Sequence, residues 1–140
     1  MIKILVDTSF SMNEVGKKDS IEMVLKSLID ELNLNNLEYK ILDFEGKDID
    51  FRNFSLNNKQ LNFDLLDNNT ILISDGLFEV KNLQKGISIA IGIDADFSNL
   101  ENLTKKVFNI DEILKVMDYV LYHFDISESK INLMEDDDEW

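Results

Sequence analysis

The chain has 140 residues, 28 acidic and 14 basic, and a formal net charge of −14 with its single His neutral. That length suits one domain with its own core, and 44% hydrophobic residues exclude global disorder. The absence of Cys excludes disulfides, thiolate zinc sites and a cysteine nucleophile, and the charge disfavours nucleic-acid backbones and anionic membranes while favouring divalent cations and basic protein surfaces.

Ile2 to Asp7 is a short apolar run ending in an acid and reads as a buried, parallel central strand. The run is too short for a signal-peptide core, and no stretch is long and apolar enough to span a membrane, so a cytoplasmic location is expected. Asp7 to Gly16 is polar and loop-like. Asp19-Ser20-Ile21-Glu22 has a helix-start pattern, and Ile21, Val24, Leu25, Leu28, Ile29 and Leu32 follow at helical spacing. Leu37 to Phe44 reads as a strand, Gly46 as a turn and Ile49 to Phe54 as a second strand, which together form a hairpin. Asn57 to Asp67 holds a short helix at best.

Thr70 to Asp75 is another buried-type strand ending in an acid, broken by Gly76. Ile87 to Ile93 is a third such strand, followed by Asp94 and Asp96. Phe97 to Thr104 supplies a helical turn or two, and Val107 to Ile110 a short final strand. Asn109 and Glu112 open a last helix with an apolar stripe of Ile113, Met117, Val120, Leu121 and Phe124. His123 falls in that helix at a surface or half-buried position. The alternation predicts an α/β fold: a doubly wound, mostly parallel sheet with one antiparallel edge strand and helices on both faces. Residues 1–126 form the domain and 127–140 an acidic C-terminal tail.

In open parallel sheets, ligands bind beyond the carboxyl ends of the strands where the strand order reverses. If the first strand and the Thr70–Asp75 strand are neighbours, Asp7 and Asp75 share that edge. Two carboxylates placed together repel unless a cation lies between them. Ser9 and Ser11 alternate with Asp7 and add neutral oxygens, giving an all-oxygen site suited to Mg²⁺ or Mn²⁺. The plainer reading is that these serines cap a turn, and that Asp94 and Asp96 are solvated loop residues.

Asp7-Thr8-Ser9-Phe10-Ser11-Met12 at the end of a first strand resembles the DxSxS motif of von Willebrand factor A (VWA) domains. Ile71-Leu72-Ile73-Ser74-Asp75-Gly76 resembles their later strand with its SDG ending, and Gly86 to Ile93 the strand after it. The likeness runs in order from residue 2 to about residue 124. It implies a metal-ion-dependent adhesion site with Asp7, Ser9, Ser11 and Asp75 as ligands. It also implies a non-catalytic interaction module whose Mg²⁺ accepts an acidic side chain of a partner protein. In its stand-alone form the chain resembles members encoded beside MoxR-type AAA+ ATPases or in bacterial stress and conflict systems, which implies an adaptor or assembly factor. The family's Thr ligand has no counterpart. Thr70 lies at the far end of its strand, roughly 16 Å from Asp75 at the strand rise, and Ser55 is the best substitute.

Two other readings stand beside this one. A metal-dependent nuclease of the PIN type also begins with a strand ending in Asp, and would use Asp7, Asp75, Asp94 and Asp96. A metal-free scaffold subunit would keep the loop without the ion. Phe10 at the loop tip is a candidate partner contact. The tail, Glu135-Asp136-Asp137-Asp138-Glu139-Trp140, reads as a mobile motif whose acids steer towards a basic groove and whose Trp140 fills a pocket.

Overall fold

A computed structural model describes residues 1–9, 12, 16–50 and 60–125. The elements in order are β1 (Ile2–Val6), α1 (Lys17–Leu34), β2 (Tyr39–Leu42), a 3₁₀ turn (Phe63–Leu65), β3 (Thr70–Ser74), β4 (Ile87–Ala90), α2 (Phe97–Leu103), β5 (Lys106–Phe108) and α3 (Ile113–His123). The five strands form one sheet in the order β2-β1-β3-β4-β5. Every pairing between them is parallel. The order reverses between β1 and β3, so the crevice for a ligand falls at the carboxyl ends of those two strands.

Strand alternation builds two cores. Ile2, Ile4 and Val6 of β1, Ile71 and Ile73 of β3, and Ile87 and Ile89 of β4 pack against α1 and α3. The intervening residues Leu5, Leu72 and Ala90 pack on the other face with Leu100 and Leu103 of α2, and with Phe44, Leu61 and Leu66. Both faces of the sheet are thus covered, which is why the central strands read as largely apolar runs, interrupted at Lys3 and Ser88. All six apolar positions expected on α1 are buried. On α3, Met117, Val120 and Phe124 are buried as expected, Val116 joins them, and Ile113 and Leu121 are half-buried against the same core.

The elements begin and end where hydrogen bonding dictates. Leu37 does not belong to β2, because it closes α1 instead. Asn36 takes a left-handed φ of 55°. Its N–H bonds Asn33 O at 3.1 Å, and the Leu37 N–H bonds Leu32 O at 3.0 Å. That is a Schellman close, sealed by the buried Leu32 and Leu37 side chains. The antiparallel edge strand is not among the five strands. After the turn at Gly46 (φ 91°), an isolated antiparallel bridge joins Leu42 to Asp48, and the Ile49 N–H bonds Ile41 O at 3.0 Å. Asp43 takes up this return: its Oδ1 accepts the Glu45 and Lys47 N–H groups, each at 2.9 Å. Residues 51–54 of the expected strand lie outside the described residues, as does the tail. Among the described residues no helix is long and apolar enough to cross a membrane.

Gly86, immediately before β4, has φ +68°, and a Cβ there would collide with the backbone oxygens of Thr70 and Asp67. Neither oxygen belongs to a side chain that can swing away. Gly86→Ala is therefore expected to cost about 2–4 kcal/mol, from the left-handed backbone and the collision together. Urea denaturation should show the midpoint falling with the m-value unchanged.

Candidate functional site

Parallel register sets the geometry of the switch point. Val6 lies opposite Ile73, and the Asp7 N–H bonds Ile73 O at 2.9 Å. Asp7 is therefore level with Ser74, while Asp75 lies one residue further on. By strand alternation Asp7 continues the Lys3/Leu5 face and Asp75 the Ile71/Ile73 face. The two carboxylates share one edge, as the sequence implies, but they have different partners.

Asp7 is fully buried. Its Oδ2 accepts the Ser74 hydroxyl at 2.6 Å, and its Oδ1 accepts the Ser9 N–H at 2.8 Å. Burial raises its pKa to about 6, against the opposing pull of hydrogen bonds from Ser74 and Ser9; the charge of Asp75 contributes least. The Ser74 hydroxyl also accepts the Gly76 N–H at 3.0 Å, so it ties the β1 and β3 exits together. The next residue, Thr8, is buried, and its hydroxyl has no hydrogen-bond partner among the described residues.

Asp75, also fully buried, accepts the Leu77 N–H on Oδ1 at 3.0 Å and the Lys17 ammonium on Oδ2 at 3.0 Å. Lys17 also reaches Asp94, at 2.9 Å from Oδ1 and 3.2 Å from Oδ2. Burial opposes the Lys17 charge, but the hydrogen bonds and charges of Asp94 and Asp75 outweigh it and hold its pKa above that of an ordinary lysine. Asp96 has a structural task. Its Oδ1 caps α2 through the Asn99 N–H at 3.0 Å, and its own N–H bonds Asp75 O at 2.8 Å. The Asn99 side-chain amide reaches Gly76 O at 2.8 Å and Phe78 O at 3.0 Å, binding the β3 exit loop to the start of α2.

The structure thus brings Asp7, Ser9 and Asp75 to one edge. Thr70 is at the opposite end of β3, where its hydroxyl bonds Asp67 Oδ1 at 2.9 Å, in keeping with its exclusion from the ligand set. Ser11, Ser55, Phe10 and Trp140 lie outside the described residues. Nothing in the sequence analysis singles out Lys17, and Asp94 stands there as a solvated loop residue or, for the nuclease alternative, as one of four metal-binding acids. The signal for Lys17 was present: it precedes Ile21 by four residues, so it extends the buried stripe of α1 by one turn. The helix starts two residues before the Asp19 start pattern, which brings Lys17 within the first turn.

The described donors do not fit a divalent ion as they stand. One Asp75 oxygen and both Asp94 oxygens hold an ammonium, and both Asp7 oxygens are engaged by Ser74 and Ser9. Among the described residues no group of three or more His, Cys, Asp or Glu is arranged to hold a metal. No protein-family model matches the chain, and no curated protein matches it in sequence.

Two outcomes follow from this geometry. Lys17→Met keeps much of the stem but strands a buried Asp75 carboxylate, so the loss should be about 3–5 kcal/mol by urea denaturation. Asp7 titrates above its unfolded value, so the native state binds the proton more tightly and stability falls as pH rises from about 4 through 6. The advantage of wild type over Asp7→Asn should therefore shrink by up to about 3 kcal/mol between about pH 4 and pH 7. A wild-type curve parallel to that of Asp7→Asn would contradict it.

Proposed function

We propose that this chain is a non-catalytic protein-interaction module of VWA-like architecture that meets its partner at the carboxyl edge of the sheet. The observation that carries the reading is a set of exposed apolar side chains around a saturated ionic cluster. Ile93 is fully exposed in the β4 exit loop, and Leu77 (39% exposed) and Phe97 (43%) follow β3 and open α2. Two bonds tie the segment carrying Leu77 to the segment carrying Phe97, Asn99 to Gly76 and Asp96 to Asp75. Apolar groups held on a rigid polar base suit docking, where a few well-packed anchors carry most of the binding. The AAA+ ATPase partner implied by the family resemblance belongs to this reading.

The nuclease alternative needs several acids converging with oxygens free for metals and water. Here Asp7, Asp75 and Asp94 are already engaged by Ser74, Ser9, Leu77 and Lys17, and Asp96 caps a helix. A binding role asks nothing further of these groups.

The test is quantitative affinity purification of the full chain from its native host, comparing wild type with the double variant Ile93→Asp, Phe97→Asp. Charges placed in a docking surface should cut recovery of the wild-type partner at least roughly tenfold, with the melting temperature unchanged. Equal recovery would refute the proposed surface. Mn²⁺-dependent cleavage of single-stranded RNA that disappears in Asp7→Asn would instead establish the nuclease.

A further inference from the structure

Lys17 is only 4% exposed, a rare condition for a lysine unless it is paired. Among the described residues it pairs with acids from different parts of the sheet edge, Asp75 from the β3 exit and Asp94 from the β4 exit loop. The backbone is shaped around it. Gly92 has φ +90°, and a Cβ there would come within 2.7 Å of Lys17 Cε and 2.8 Å of Asp94 Oδ1. A side chain at position 92 would thus press on both the lysine stem and the carboxylate it serves.

We infer that Lys17 is the resident cation of the switch point: its tethered ammonium neutralises Asp75, one of the acids that the resemblance assigns to a divalent metal, together with Asp94, so that the domain is complete without the ion. Two carboxylates drawn together at a sheet edge need a positive charge between them. The first turn of α1 supplies it. Magnesium gives up its water reluctantly, and here it would also have to displace an ammonium already bonded to both acids. Lys17 plays this part whether or not the edge binds a partner.

The test combines metal titration with native-state labelling of the full chain. Wild type should show no saturable Mn²⁺ binding at millimolar concentrations, by calorimetry or by electron paramagnetic resonance. Lys17→Ala frees the two carboxylates and should gain saturable Mn²⁺ binding together with a metal-dependent rise in melting temperature. In parallel, reductive methylation read by peptide mass spectrometry should modify Lys17 at least roughly tenfold more slowly than the 73% exposed Lys47 and Lys115. Saturable Mn²⁺ binding by wild type that is lost in Asp75→Asn would overturn the inference. So would a folded Lys17→Ala that takes up no Mn²⁺, or labelling of Lys17 at the rate of the exposed lysines. Should Lys17→Ala fail to fold, the wild-type titration and the labelling decide the matter on their own.

Discussion

The ion pair of Lys17 with Asp75, closed by Asp94, is the constraint around which the carboxyl edge of the sheet is organised. Burying an ammonium and a carboxylate costs several kcal/mol per ion unless each finds close partners. The fold meets that demand with two acids and the Leu77 N–H. Because the ammonium belongs to the first residue of α1, the pair also fixes where the helix begins against the sheet. Ile21, Val24, Leu25 and Leu28 then fall in sequence onto the Ile-rich face of β1, β3 and β4. An electrostatic contact at one end of the helix and an apolar stripe along it thus specify the same orientation, the kind of agreement between levels that marks a sequence committed to one structure.

Around this pair lies a second polar layer in which nearly every described donor has a purpose. Ser74 bridges the exits of β1 and β3, Asp96 caps α2 while touching the β3 backbone, and Asn99 fastens the intervening loop. The β1 exit, the β3 exit loop and the start of α2 are held together at this edge by bonds between them. On the proposed docking role, a surface braced in this way would lose little ordering entropy on binding, with the exposed Phe97 held at the start of the capped α2.

The sheet was legible in the sequence because a strand covered on both faces is apolar at most positions, and the Ile-rich runs from Ile2, Ile71 and Ile87 meet that condition apart from Lys3, Ser74 and Ser88. The α1 stripe was legible from its spacing. Less visible were features decided by tertiary register. Asp7 and Asp75 look like a matched pair in sequence, yet parallel pairing levels Asp7 with Ser74 and leaves each acid a different partner. The boundary at Leu37 turned on the left-handed Asn36, a local signal that strand propensity masked. Lys17 was obscured by its residue type, since a lysine beside a loop is usually solvated and only its helical phase marks it as interior.

Gly92 has a meaning beyond the room it leaves. A metal reaches its site from a dissolved pool, and its occupancy follows the concentration of that pool. A charge carried on the chain has an effective concentration fixed by geometry, and at Nζ distances of 3.0 Å and 2.9 Å from its acids it neither dilutes nor leaves by diffusion. The side-chain-free position at Gly92 leaves room for the Lys17 stem and for Asp94 Oδ1 beside it. On the proposal that Lys17 stands in for the ion, the charge of this edge is written into the covalent structure and would not respond to chelators.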